Sequence, residues 1–254
     1  KTNPFIYFGE RITSMSTAVP DKLVSKEMLE GLPEPVQRYL TYTGVIDKPW
    51  VHSVFLKQTG RFRQSVDQPW MPMAAEQTYS VDPPGFVWDA RFKMAGLPLL
   101  RARDAYEDGH GHMFGKLAGL LTVFDVRGEQ LDQGAMLRYL SEMIWFPAAF
   151  LGDNISWESV DELSARVTLS DHGKEVSGIM HFDAEGKFRN FTTQRYREVD
   201  GDFSLDPWST PIGRYGTLAG LNLPLTGKAV WNLPDGDLDY VELEITELEY
   251  NLTP

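Results

Sequence analysis

The sequence predicts a single domain of the α+β class that is mainly antiparallel β-sheet, shaped as an open barrel or a strongly curved sheet. Two observations predict this class. Hydrophobic residues alternate with a period of two in about ten segments after Pro49, and turn-forming sequences separate many of these segments at intervals of about ten residues. One strongly helical segment interrupts the alternation. No internal repeat or linker-like stretch divides the 254 residues, so we expect one domain over 1–254.

An N-terminal helical segment is predicted over 1–44. Ser25 can cap a first short helix, because a serine side chain accepts a hydrogen bond from the first helical turn. A second helix begins at Pro33, since proline suits the first turn of a helix, and it ends at Gly44. Two short helices therefore precede the sheet.

A β-meander is predicted over 50–254. In its clearest strand, Phe86, Trp88 and Ala90 fall on one face while Asp89 falls on the other, as in a strand with one buried face. The other predicted strands are 50–58, 60–66, 74–81, 99–106, 120–126, 163–170, 175–183, 188–197, 225–233 and 238–250. The short turns between them favour antiparallel pairing.

The one strong helix is predicted over 134–151, in the centre of the chain. Its apolar stripe consists of Leu137, Leu140, Ile144 and Ala148. Arg138 and Glu142 lie beside this stripe at i and i+4, where they can form an ion pair. Pro147 should bend or break the last turn. A sheet curled around this central helix would account for both periodicities.

The net charge of −12 and the lack of cysteine narrow the possible functions. Negative charge repels the phosphates of nucleic acids, so no nucleic-acid partner is expected. Without cysteine there is no disulfide, no cysteine-ligated metal and no thiol nucleophile, and such a composition suits an oxidising compartment. The longest apolar run, 143–151, is shorter than the roughly 20 residues that cross a bilayer, so we expect no stable membrane span in this chain.

The N-terminus bears on the location of the protein. The chain begins at Lys1 and continues into the amphipathic segment 4–8, without an initiator methionine. We therefore expect an extracytoplasmic protein, or one anchored to a membrane through a removed N-terminal segment. A cytoplasmic location is the alternative.

Common cofactor and nucleophile motifs are missing from the sequence. It contains no Walker loop, no Gly-x-Gly-x-x-Gly after a strand and no Gly-x-Ser-x-Gly elbow, so no cofactor is predicted. His110 and His112 would point the same way on a strand, as two metal ligands do. Because the residues from Asp108 to Gly111 also form a turn-like sequence, we predict no metal site.

Charged residues provide a first candidate site. Asp104 shares a predicted strand face with the apolar residues Ala102 and Tyr106, and a buried carboxylate needs a hydrogen-bond donor. The residues expected to meet in the cup of the curled sheet are Glu76, Asp89, Arg91, Arg101, Asp104, Arg138 and Glu142. A catalytic hypothesis assigns acid/base roles to Glu76, Asp104 and Glu142. The alternative, which we favour, is a network of salt bridges that joins helix to sheet.

Aromatic and methionine side chains provide a second candidate site. Aromatic residues make up 12% of the chain, with seven Trp and nine Met, and a concave sheet lined by such side chains suits an apolar ligand. The predicted ligand-binding residues are Trp88, Arg91, Arg101, Tyr106, Arg138 and Trp145. Ordinary core packing would explain the aromatic residues equally well.

The sequence therefore predicts a binding protein whose partner is an apolar or amphipathic small molecule, such as a lipid. One alternative is an enzyme that uses acid/base carboxylates on a hydrophobic substrate. Another is a structural or partner-binding module. Retention of an apolar ligand by the purified protein would favour the first hypothesis over the third.

Several blocks of the sequence are distinctive: LPEPVQRYL at 32–40, AEQ at 75–77, GFVW at 85–88, DAYEDGHG at 104–111 and RYLSEMIWFP at 138–147. Together they resemble the DUF6544 family of bacterial proteins. The resemblance extends from about Leu32 to Asn251. Many members carry an N-terminal hydrophobic segment ahead of the helix, and this chain would match them only if that segment has been trimmed. The resemblance implies no activity, cofactor or site residue. By analogy of architecture, the pattern is also similar to the half-barrels of periplasmic lipoprotein carriers.

Overall fold

One antiparallel sheet of thirteen strands dominates the computed structural model, which describes residues 22–94 and 96–252. Its strands are β1 Ser53–Phe62, β2 Met71–Ser80, β3 Gly85–Met94, β4 Leu97–Glu107, β5 His110–Leu117, β6 Leu121–Val126, β7 Ile155–Asp161, β8 Ser164–Asp171, β9 Lys174–Phe182, β10 Phe188–Val199, β11 Asp202–Ser209, β14 Thr226–Leu233 and β15 Gly236–Tyr250. Two further strands, β12 Tyr215–Leu218 and β13 Leu221–Pro224, pair in a small separate sheet. The predicted segment 4–8 lies outside the described residues.

The large sheet combines two meanders. Its strand order is β6-β5-β4-β3-β2-β1-β15-β14-β11-β10-β9-β8-β7, so pairing of β1 with β15 joins the N-terminal and C-terminal halves. The edge strands β6 and β7 do not pair with each other within the described ranges, and the strongly curled sheet is therefore a half-barrel. This architecture confirms the predicted fold class.

The described residues contain two α-helices, α1 Glu34–Thr43 and α2 Glu129–Glu142. Short 3₁₀ turns lie at Lys26–Leu29, Met143–Trp145 and Pro147–Leu151. Helix α1 ends as predicted at Gly44, which adopts a φ of 76° that suits glycine. None of the helices in this part of the chain is long and apolar enough to cross a lipid bilayer.

The central helix differs from its predicted range of 134–151. Helix α2 begins earlier, at Glu129, and ends at Glu142, where the chain continues as 3₁₀ turns. Phe146 leaves the helical conformation with φ −140° and ψ 65°, immediately before Pro147. Because proline lacks an N–H and clashes with the preceding turn, it ends the regular helix instead of only bending it.

Helix α2 lies across the concave side of the half-barrel. It contacts β4 and β5 in the N-terminal half and β9 and β10 in the C-terminal half. The predicted apolar stripe is buried, since Leu137, Leu140 and Ile144 are at most 2% exposed. Helix α2 therefore forms the centre of the main core, and it carries its flanking polar side chains into the cup of the sheet.

Candidate ligand-binding site

A buried ion-pair triad joins α2 to the sheet. Arg138 donates from Nη1 to Asp104 Oδ2 on β4 at 2.7 Å and from Nε to Glu142 Oε1 at 2.9 Å. Only 16% of the Arg138 side chain is exposed, and the two carboxylates are more deeply buried. With both carboxylates ionised, the triad carries a formal charge of −1.

Neutral side chains complete this network. Gln77 Nε2 and the Tyr79 hydroxyl both donate to Glu142 Oε2, at 2.8 and 2.9 Å. Gln77 Oε1 in turn accepts from Arg138 Nη2 and from Gln58 Nε2, each at 3.2 Å. Both carboxylate oxygens of Glu142 are therefore engaged. We call these six residues the Arg138 cluster; its members are Gln58, Gln77, Tyr79, Asp104, Arg138 and Glu142.

The electrostatics of the Arg138 cluster keep its arginine charged and its tyrosine neutral. Burial lowers the pKa of Arg138, but the neighbouring Glu142 and Asp104 carboxylates raise it more, so the pKa lies above its ordinary value. Burial, reinforced by the Glu142 charge, raises the pKa of Tyr79 well above its ordinary value. The Arg138 guanidinium also lies over the ring of Trp88, 4.8 Å from its centroid. This cation–π contact further restricts the position of the guanidinium.

Two buried polar atoms beside this network have no hydrogen-bond partner among the described residues. They are Asp104 Oδ1 and Trp88 Nε1. Trp88 on β3 is directly opposite Asp104 on β4 in the strand register, so the two side chains lie on the same face of the sheet. A buried acceptor and a buried donor are thus left available next to each other.

A second apolar cluster adjoins the Arg138 cluster and is separate from the main core. Its buried members are Met73, Ala75, Ala90, Phe92 and Ala102, and partly buried side chains packed around them are Phe62, Met71, Trp88, Leu100, Phe124, Val241 and Leu243. We call this set the concave apolar cluster. Ala75 and Ala102 lie two residues from Gln77 and Asp104 on their strands, and alternate residues share a face, so both clusters face the concave side.

Small residues form the floor of the concave apolar cluster. Ala75, Ala90, Ala102 and Gly115 pair successively across β2, β3, β4 and β5. A Cβ atom on Gly115 would lie only 2.4 Å from the Phe124 ring, so only a glycine at this position leaves room for the ring. The floor is therefore a shallow row of small side chains between rows of larger ones.

The structure brings together four of the predicted site residues. Asp104, Arg138 and Glu142 form the triad, and Trp88 packs beside it. Glu142 accepts hydrogen bonds from Arg138, Gln77 and Tyr79. The structural role of the Arg138–Glu142 pair stays a prediction.

Glu76, Asp89, Arg91 and Arg101 do not join the cluster, and their predicted grouping in the cup is wrong. All four lie on the outer face, where Arg101 pairs with Asp89 at 2.9 Å. The physical reason is the alternation of side chains along a strand, because Arg91 is an odd number of residues from Trp88 and must point to the opposite face.

Tyr106 and Trp145 belong to the main core and not to the concave apolar cluster. The Tyr106 hydroxyl donates to Asp171 Oδ2, and Trp145 Nε1 donates to the carbonyl of Pro224 at 3.1 Å. Their polar atoms are already used in holding core elements together.

Sequence reasoning missed Gln58, Gln77 and Tyr79 as members of the network. The available signal was the same one that identified Asp104. Gln77 alternates with Ala75 and Tyr79 along β2, so a polar side chain falls on an otherwise apolar face and requires a partner.

A further ion pair, also missed, connects the two halves of the half-barrel. Asp132 on α2 accepts from the backbone N–H of Gly111 at 2.7 Å and from Lys174 Nζ at the start of β9, and its Oδ2 also lies 3.3 Å from His110 Nδ1. Lys174 Nζ donates as well to the carbonyl of Gly109. The β4–β5 turn, α2 and the β8–β9 turn therefore meet at this carboxylate.

Asp132→Asn should destabilise the protein at pH 7 by about 1.5–3 kcal/mol, the usual range for a hydrogen bond to a charged group. Burial raises the pKa of Asp132, but hydrogen bonds from Lys174 and the Gly111 N–H outweigh burial and hold the pKa below its ordinary value of 3.8. Such a carboxylate stabilises the fold above the pKa of the unfolded chain, and this contribution is lost as pH falls through the lower folded-state pKa.

The difference in unfolding free energy between wild type and Asp132→Asn should therefore be complete at pH 7 and shrink below about pH 4. Urea unfolding of both proteins at pH 7, 5 and 3 measures this difference. A difference that stays constant down to pH 3 would show that the Asp132 charge does not stabilise the fold.

An open groove of about 850 Å³ lies elsewhere, on the outer face of β1, β14 and β15. Its charged lining residues largely pair with each other, since Arg61 and Lys228 both contact Glu242. The groove does not include the Arg138 cluster, and its lining is too charged to favour an apolar ligand.

Comparisons with known proteins identify a matching family and some solved structures that are similar. The model of a family described as "Family of unknown function (DUF6544)" matches residues 22–243. No curated protein matches the chain. A DUF1329 family protein from Desulfovibrio piger is similar in structure, with a TM-score of 0.48 and 11% identity over 86% of this chain and 92% of that chain. A LolA superfamily protein from Nitrosomonas europaea is similar with a TM-score of 0.46 and 10% identity over 92% and 96%.

Proposed function

The chain belongs to the DUF6544 family, and we propose that it binds an apolar or amphipathic small molecule, such as a lipid, on the concave side of its half-barrel. The observation that carries this proposal is the concave apolar cluster. It is separate from the main core, and seven of its hydrophobic side chains are only partly buried. Apolar surface that stays accessible in a concave site is typical of a ligand-binding site.

The composition of this cluster supports the proposal. The alanine floor has short side chains, while the partly buried Met71, Phe62 and Phe124 offer wide and adaptable contact area around it. The adjoining Arg138 cluster is held rigid by its ion pairs. One end of the site is therefore polar and the other apolar, which suits an amphipathic ligand.

We also propose that the protein works outside the cytoplasm. Its lack of cysteine supports this location, because a chain without thiols is unaffected by an oxidising compartment. Cell fractionation of the producing organism with an antibody against the protein tests the location. Recovery in the cytosolic fraction alone would contradict it.

A second candidate function is acid/base catalysis on a hydrophobic substrate, and one observation favours it. Asp104 Oδ1 is buried without a hydrogen-bond partner among the described residues, so it could accept a proton from a bound substrate. Glu142 has both oxygens engaged, and Glu76 lies on the outer face. Turnover of an identified ligand that is lost in Asp104→Asn, with binding retained, would favour catalysis over binding alone.

Thermal unfolding in the presence of ten-carbon ligands tests the binding proposal. Decanoate and 1-decanol should raise the melting temperature and change the tryptophan emission, because a ligand that binds only the native state stabilises it. Trp88 lies in the site and should report the change. If neither ligand, nor any member of a broader panel of lipids and hydrophobic metabolites, changes the melting temperature or the tryptophan emission, the concave apolar cluster is ordinary core packing.

A further inference from the structure

A second arginine on the concave side, Arg195 on β10, lies in a box built by four neighbouring strands. Its guanidinium lies over the rings of Trp208 on β11 and Trp231 on β14, 4.8 and 5.7 Å from their centroids. Its Nε donates to the carbonyl of Gly134 on α2 at 3.2 Å, and its Nη1 donates to the hydroxyl oxygen of Tyr240 on β15 at 3.1 Å. Neutral groups thus fix the guanidinium in place.

The charge of Arg195 is not neutralised. Within residues 22–94 and 96–252, no carboxylate forms an ion pair with it, and its hydrogen bonds go only to neutral oxygens. Arg138, in contrast, has two carboxylate partners, and Arg197 pairs with Asp206 at 2.6 Å. A half-buried cation without a counter-ion, in a chain of net charge −12, favours binding of an anion.

Tyr240 adds a second donor to the same place. Its hydroxyl oxygen already accepts hydrogen bonds from Arg195 Nη1 and from Trp208 Nε1, the latter at 3.0 Å. The hydroxyl proton of Tyr240 has no acceptor in the described part of the chain and is therefore free to donate. Arg195 and Tyr240 together offer the charge and the hydrogen-bond donors that a carboxylate or phosphate requires.

We call Arg195, Trp208, Trp231 and Tyr240 the Arg195 box, and it adjoins the concave apolar cluster. The ring of Tyr240 packs edge-on against Phe62, a member of that cluster, with centroids 6.3 Å apart. Val241, the next residue along β15, is also a member. An anion bound at Arg195 would therefore leave an attached apolar chain next to the cluster.

We propose that Arg195 and Tyr240 bind the carboxylate or phosphate of an anionic amphiphile whose apolar chain occupies the concave apolar cluster. This inference rests on the proposed function, and it specifies the ligand class. Arg138 cannot serve this role because its charge is already balanced by Asp104 and Glu142.

Titration calorimetry with decanoate and 1-decanol at pH 8 tests the inference, because the two ligands share a chain length and differ in head-group charge. The wild type should bind decanoate about tenfold more tightly than 1-decanol, as expected for a hydrogen-bonded ion pair. Arg195→Met should remove this preference by weakening the binding of decanoate to about the affinity of 1-decanol. Arg197→Met is the matched control, two residues along the same strand, and it should keep the preference.

Two further variants distinguish a loss of the anion site from a folding defect caused by Arg195→Met. Arg195→Lys retains the charge and should retain part of the preference, whereas Tyr240→Phe removes one donor and should reduce it. Equal affinities for decanoate and 1-decanol in the wild type, or a preference that survives Arg195→Met, would overturn the inference while leaving the proposed function intact.

Two further outcomes are the absence of binding and the binding of an anion without an apolar chain. Binding of neither ten-carbon ligand would overturn the inference, and failure of the broader panel of lipids and hydrophobic metabolites as well would refute the proposed function itself. Acetate and inorganic phosphate serve as anions without a chain. If either binds as tightly as decanoate and depends on Arg195, the site recognises a free anion and the amphiphile assignment is wrong.

Discussion

Arg138→Met should destabilise the fold by about 3–5 kcal/mol, the range measured when one partner of a buried ion pair is removed. The substitution leaves the Asp104 and Glu142 carboxylates buried without their cation, and methionine keeps most of the packing of the arginine stem. Urea unfolding at pH 7 measures the loss.

The control for this experiment is an exposed ion pair of the same kind. Arg214 pairs with Glu244, and both side chains are about half exposed, so Arg214→Met should change stability by about 1 kcal/mol or less. Glu142→Gln should also destabilise the fold, because its amide cannot accept from Arg138, Gln77 and Tyr79 at once. An unfolding midpoint for Arg138→Met that matches the Arg214→Met value would show that the Arg138 cluster does not hold α2 to the sheet.

Leu140→Ala should cost about 2–5 kcal/mol, because it leaves a cavity in the middle of the main core. Leu140 is 1% exposed and lies on the face of α2 that the sheet covers. Leu120→Ala is the control, since Leu120 is 89% exposed in a hairpin turn and its truncation should change stability by about 0.5 kcal/mol or less. Equal urea midpoints for the two variants would show that the apolar stripe of α2 is not the core.

The fold class and the centre of the site could be predicted because both depend on local periodicity. Alternation identified β3 and the inward position of Asp104, and helical spacing identified the pair of Arg138 and Glu142. The predicted proximity of these three residues follows from placing one helix inside a curled sheet. The structure agrees with each of these steps.

Other features could not be read from local periodicity. Strand β5 was missed because Gly111 and Gly115 weaken its pattern, and each glycine is required by a close approach, to the backbone of Leu131 and to the ring of Phe124. The outer-face positions of Glu76 and Arg91, by contrast, could have been predicted from local periodicity, because each lies an odd number of residues from an inward-facing residue on its strand.

The Arg195 box could not be predicted from the sequence for a different reason. Its side chains come from β10, β11, β14 and β15, and Arg195 and Tyr240 are distant in sequence. Their meeting depends on the order of strands in the sheet and on the position of α2, which no sequence pattern specifies. The same holds for Asp132, whose partner Lys174 belongs to the opposite half of the half-barrel.

Titration calorimetry of two neighbouring variants with decanoate tests most directly whether an apolar ligand binds on the alanine floor of the concave side. Ala75 is buried in the floor of β2, and Ala74 is exposed on the outer face of the same strand. We expect Ala75→Leu to weaken binding by about tenfold or more by filling the floor, while Ala74→Leu binds as the wild type does. Equal decanoate affinity in the two folded variants would contradict binding on the alanine floor.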